Sequence, residues 1–164
     1  MSDKQTLPSR RGWAVWLATG FWSGFSPFAP GTVGTLWGLP LAWLLAQTPL
    51  WLNVVLILAL NLVGIPLCTR ACQQLQTKDP GCVVWDEIAS MTITFFLVSQ
   101  TDMNRWTVLL AGFVLHRIFD ISKLPPLNRL ERLPAGLGVM ADDWMAGVYS
   151  CVSLQLLLKS GILG

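Results

Sequence analysis

From Gly12 to Thr69 the chain carries no Asp, Glu, Lys or Arg. A water-facing surface built from that stretch would have no charge on it, whereas a bilayer asks for segments of this kind. Two apolar runs fall inside it, Val33 to Ala46 and Leu50 to Cys68, separated by the turn residues Gln47, Thr48 and Pro49. The rest of the chain agrees. Hydrophobic residues make up 53% of it and charged residues 12%, against about 25% charged in an ordinary soluble domain. The reading is a membrane-integrated protein. The alternative is a compact helical domain with a very apolar core.

At 164 residues the chain suits one domain, residues 1–164. β-type alternation is scarce, so the expected class is all-α, a helical bundle with several transmembrane or membrane-embedded helices. An interfacial stretch is expected from Trp13 to Gly24, then a Pro/Gly loop, Ser26 to Thr32. The two apolar helices follow. Further helices are expected from Val83 to Ser99, Arg105 to Ile121 and Asp142 to Lys159, with Pro40 and Pro66 as possible kink points. The nine Trp residues lie mostly near the ends of apolar runs, as interfacial belts require.

Charge placement gives an orientation. Lys4, Arg10 and Arg11 precede the first helical hairpin, and Arg70, Lys78 and Asp79 follow it. The positive-inside rule then puts residues 1–12 on the cytoplasmic side as a basic flank, with a multi-pass arrangement above it. The Ser9-Arg10-Arg11 sequence faintly matches an export signal, but no small-residue cleavage site follows, so the flank reading is preferred. A net charge of +2 indicates no nucleic-acid surface. Four cysteines and a distant single histidine lack zinc-ligand spacing and read as thiols in a reducing compartment.

Nine acidic residues are few, and five of them recur at expected helix ends: Asp86 and Glu87, Asp120, and Asp142 and Asp143. One pair alone reads as a helix start stabilised by the dipole. Five carboxylates brought together would repel one another unless a cation joined them. Oxygen-only ligands select Mg²⁺, Ca²⁺ or Mn²⁺. Arg117, Asp120 and Lys123 share a helical face, so two cations flank one carboxylate and could meet a phosphate. The bland reading of that face is a salt-bridged surface patch, and His116 reads first as a polar helix residue. The Ser26 to Thr32 loop ends at a helix start, with Thr32 expected as its N-cap and Gly31 allowing close backbone approach. Exposed amides there attract phosphate, although a plain interhelical turn fits equally.

Four motifs in order, G-F-W-S-G-F-S-P-F-A-P-G-T-V-G-T, V-V-W-D-E, H-R-I-F-D-I-S-K and G-L-G-V-M-A-D-D-W-M-A-G, resemble the phosphatidylglycerophosphatase A family. The resemblance covers about Gly20 to Ser150. It implies a Mg²⁺-dependent bacterial membrane enzyme; combined with the orientation read from the charges, the expectation is the cytoplasmic (inner) membrane with the active site on the cytoplasmic side. That enzyme removes the terminal phosphate of phosphatidylglycerophosphate and leaves phosphatidylglycerol. By position the resemblance assigns Asp86, Glu87, Asp120, Asp142 and Asp143 as catalytic and Mg²⁺-holding residues. It assigns Ser26, Gly31, Thr32, Arg117 and Lys123 to the substrate phosphate. The partners it implies are the lipid substrate and the bilayer. Two rivals stand beside it. A CDP-alcohol phosphotransferase would carry D-G-x-x-A-R, which is missing from this chain. A transport or scaffold protein with a cation site would place its acids mid-span rather than at helix ends.

Overall fold

The computed structural model describes residues 12–122 and 135–163, and the described residues are helical, with no strand among them. Seven α-helices follow in chain order: α1 Trp13–Ala18, α2 Pro30–Ala46, α3 Leu50–Leu75, α4 Trp85–Thr94, α5 Gln100–Met103, α6 Trp106–Ser122 and α7 Ala135–Lys159. The expected all-α class is what the chain adopts.

α1 buries Ala14, Val15 and Ala18 and then stops abruptly. Gly20, Phe21 and Trp22 all take left-handed φ values, 55°, 57° and 72°. Only glycine does so without strain. The reversal is held by the Phe21 amide donating to the Trp16 carbonyl at 2.9 Å and the Gly24 amide to the Thr19 carbonyl at 2.9 Å. The Val84 amide donates to the Ala18 carbonyl at 2.8 Å, tying α1 to the start of α4. A Cβ at Gly24 would strike the Cys82 carbonyl oxygen, so this loop lies directly on the α4 entrance.

α2 starts differently from expectation. Its N-cap is Ala29 at φ 43°, followed by Pro30. Proline suits the first helical position because its missing N–H would be unpaired there anyway. Thr32 is therefore the third helical residue and not the cap.

α4 is the central helix, packed against α2, α3 and α7, while α6 packs on α7. Small residues let these helices approach. Ideal Cβ atoms at Gly38 and Gly147 would come within 2.5 Å of the Met91 Cβ and 2.9 Å of the Ser90 carbonyl oxygen. The core is completed by Met91, Met103, Met140 and Leu154, all fully buried.

Outside this core the surface is greasy. Val55, Leu58 and Leu62 on α3, Leu110, Val114 and Ile118 on α6, and Val148, Val152 and Leu156 on α7 are exposed. Each set recurs at three- or four-residue intervals, so each forms a stripe along its helix. Among the described residues α3 alone is long and apolar enough to cross a membrane, and only 17% of its most apolar stretch is buried. A buried core helix of a soluble domain would show the opposite. The expectation of several spans is thus met by one helix on this measure. α2 and α6 have 17 residues each, short of the ~20 that a full span needs.

Candidate active site

The bundle collects its acids at one end because of how the helices run. Gly31 at the start of α2 lies against Glu87 at the start of α4. The Gly136 amide at the start of α7 donates to Thr69 Oγ1 late in α3 at 3.0 Å. Arg117 and Asp120, late in α6, arrive at the same end. Two helix N-termini, those of α2 and α4, therefore point their positive dipole ends into this region, a setting that favours carboxylates and phosphates.

The register between α4 and α7 can be read from one contact. Gly147 lies on Ser90, and the two helices run the same way. Four residues earlier on each helix, Asp143 stands level with Asp86. Asp143 is buried, and its carboxyl is held well above the usual carboxylate range, by burial first and by Asp86 second. Asp86 is raised for the matching reasons, burial first and Glu87 second, with Asp142 adding to it. Asp120, Glu87 and Asp142 also push Asp143 upward, so this one carboxyl feels all four of the other acids.

Asp86 and Glu87 are neighbours on a helix, so they point about 100° apart. Asp86 looks toward α7. Glu87 looks toward α2 and α6, where Arg117 Nη1 donates to Glu87 Oε1 at 3.2 Å and to Asp120 Oδ2 at 2.7 Å. The same nitrogen lies 3.4 Å from Thr35 Oγ1, which itself donates to the Gly31 carbonyl at 2.8 Å. A Cβ on Gly31 would collide with Glu87 Oε1, and one on Gly34 would come within 2.9 Å of Oε2. Glycine at both positions is what lets α2 lie over this carboxylate. Burial pushes Glu87 up to about 8, although the Arg117 guanidinium pulls it down.

The expected site residues come together unevenly. Asp86, Glu87, Asp120, Asp142, Asp143, Arg117 and Gly31 share the one end. The Ser26 hydroxyl is used in its own turn, donating to the Phe28 carbonyl at 3.0 Å. Lys123 lies outside the described residues. One expectation is corrected. Asp142 and Asp143 do not open their helix, because α7 begins at Ala135 and has no acid in its first turn. The helix, expected to start at Asp142, starts seven residues earlier because Gly136 fits closely against Ile65 and Thr69 of α3. Sequence reasoning also missed Thr35 as a partner of Arg117. Its four-residue spacing from Gly31 was the available signal.

The donor set fits a hard divalent cation. The buried oxygens Asp86 Oδ1, Glu87 Oε2 and Asp143 Oδ1 have no hydrogen-bond partner, and orphaned anionic oxygens are costly unless something positive meets them. The shell is not closed in this structure. Among the described residues no three His, Cys, Asp or Glu side chains are grouped to hold a metal on their own, and Arg117 engages Glu87 and Asp120 instead.

The family model of phosphatidylglycerophosphatase A matches residues 16–158. The chain belongs to the phosphatidylglycerophosphatase A family. It is similar to the phosphatidylglycerophosphatase A of Escherichia coli, at 36% identity over 90% of this chain and 84% of that protein. It is also similar to that of Haemophilus influenzae, at 35% identity over 83% of each. A third relative, from Bacteroides thetaiotaomicron, is named "Putative phosphatidylinositol-3-phosphatase" and is 40% identical over 87% of this chain and 91% of that protein. No solved structure matches the chain. Family membership makes the chain a phosphatase, and it decides against the phosphotransferase and the non-enzymatic alternatives.

Proposed function

We propose that this enzyme hydrolyses the terminal phosphomonoester of phosphatidylglycerophosphate to phosphatidylglycerol and phosphate, with Mg²⁺ as cofactor. The observation that carries the reading is the meeting of buried carboxylates from α4, α6 and α7 beside the N-terminus of α2, in a chain of this family. Asp86, Glu87, Asp120, Asp142 and Asp143 would hold the cation. When bound, Mg²⁺ supplies positive charge that offsets the phosphate dianion and polarises its oxygens. Arg117 has a buried Nε without a protein acceptor, a donor suited to a phosphate oxygen. The first-turn amides of α2 at Gly31 and Thr32 face the same way and add a second anion-favouring element. Lys123 and Ser26 belong to the phosphate-binding set by position in the family motif.

The lipid part of the reading is supported from outside the acid cluster. An apolar groove of about 250 Å³, lined by Ile57, Leu58, Asn61, Leu62, Ile93 and Trp144, reaches the residue next to Asp143. Exposed tryptophans flank the bundle. Trp13 and Trp22 belong to the α1 segment that is tied to the start of α4, and Trp51 and Trp106 lie in the first turns of α3 and α6 at the opposite end. Such belts sit at the two faces of a bilayer. We place the chain in the bacterial inner membrane, multi-pass, with the acid end cytoplasmic, because Arg70, Lys78 and Arg117 lie toward that end and the basic residues Lys4, Arg10 and Arg11 precede α1 in the sequence.

The test is phosphate release by the purified enzyme in mixed micelles of phosphatidylglycerophosphate or of phosphatidylinositol 3-phosphate, the class named for the Bacteroides relative. The reading expects a clear preference, as kcat/KM, for phosphatidylglycerophosphate. Preference for the inositol lipid would overturn the substrate assignment, and release from neither would overturn the reading.

A further inference from the structure

His116 is fully buried between α6 and α4. Its Nδ1 lies 3.0 Å from Thr94 Oγ1 and its Nε2 lies 3.2 Å from Ser90 Oγ. Ser90 and Thr94 are four residues apart, so they share one face of α4. The Ser90 hydroxyl in turn donates to the Glu87 carbonyl oxygen at 3.2 Å.

These contacts set the proton positions. A hydroxyl has one proton to give. Ser90 gives its proton to Glu87, so Ser90 Oγ must accept from the imidazole, and Nε2 carries the hydrogen. Nδ1 then has a lone pair, which the Thr94 hydroxyl fills. Run the other way, the Thr94 proton would have no acceptor in a fully buried position. A charged imidazolium would need acceptors on both sides, and burial disfavours it. One neutral tautomer satisfies every group.

We propose that His116 is a positioning residue, the middle of a directed hydrogen-bond chain from Thr94 through His116 and Ser90 to the main chain of Glu87. This proposal rests on the phosphatase reading above. Consecutive residues of α6 thus grip one residue of α4 in two ways. Arg117 holds the Glu87 carboxylate at 3.2 Å, and His116 braces its carbonyl through Ser90. The chain fixes the height of α6 against α4, and with it the position of Arg117 and Asp120 relative to Asp86.

The chain has a single histidine, so ¹⁵N-labelled histidine reports on this residue alone. In bilayers at pH 7 its shifts should be those of a neutral ring protonated at Nε2. Thr94→Val keeps the shape but removes the donor to Nδ1. It should lower kcat about 10- to 100-fold, the range for partners that orient a ligand, with KM little changed, while Thr94→Ser should restore the rate. A ring protonated at Nδ1, an imidazolium, or full kcat in folded Thr94→Val would overturn the proposal. If Thr94→Val does not fold, the wild-type tautomer decides. Wild-type protein with the Nε2–H signature but no phosphate release would instead defeat the phosphatase reading and leave the positioning chain intact.

Discussion

Glu87 shows what the site asks of a single residue. Its ordinary value of 4.5 is raised to about 8 in the fold, chiefly by burial. The folded state therefore favours the protonated carboxyl. The stability linked to it is fully present below about 4.5 and is lost as pH rises through about 8. Asp86 and Asp143 shift in the same direction. Metal-free protein should melt progressively lower from about pH 5 to pH 8, and Mg²⁺ should restore the loss at pH 8. Thermal melting across that range, with chelator and with Mg²⁺, checks it. A flat profile in chelator would contradict it. Asp142 and Asp143 divide along similar lines. Asp143 is buried beside Asp86 and feels all four other acids, whereas Asp142 is only partly buried. Asp143→Asn should lose phosphate release by orders of magnitude, and Asp142→Asn about 10- to 100-fold. Rates against Mg²⁺ concentration, with folding checked for each variant, measure the difference. The reverse ranking would contradict the register drawn between α4 and α7.

At the scale of elements, the contact between α7 and α3 decides whether the acids meet. A Cβ on Gly136 would strike the Ile65 carbonyl, the Thr69 amide and Thr69 Oγ1, and two of these are backbone atoms that cannot move aside. Gly136→Val should destabilise by about 1–3 kcal/mol, as overpacking usually does. Gly81→Ala, where a Cβ meets nothing within 4 Å, should stay within about 0.5 kcal/mol. Melting temperatures of the two variants test this. The same contact explains what the sequence left hidden. Apolar runs located α2, the body of α3 and α6, because burial and lipid both select long uncharged stretches. The loop before α2 was legible from its Pro and Gly residues. The start of α7 was not, because glycines read as a break until their packing partner is known. α3 continues to Leu75 rather than Cys68, its last turns exposing Arg70 and Gln73. α4 ends at Thr94 rather than Ser99. Leu97 takes φ 64° there, a conformation that no local pattern announces for leucine. The acids were legible as a set because they are few. Their pairing was not, since Arg117 reaches Glu87 across 30 positions and His116 reaches Ser90 and Thr94 across 26 and 22.

The whole molecule is a bundle with a chemical end and a greasy flank. Its outward stripes of Val, Leu and Ile would be an aggregation hazard in water, and a bilayer removes the hazard. The orientation proposed above expects a reporter after Lys78 to behave as cytoplasmic and one inserted at Thr101 as periplasmic. Reversal of either result would contradict it. Everything drawn from the acid end comes down to whether a cation completes it. The most direct measurement is phosphate release from phosphatidylglycerophosphate as free Mg²⁺ is removed by chelator and then returned. The account expects activity to vanish in chelator and to recover with Mg²⁺; full activity in chelator would contradict it.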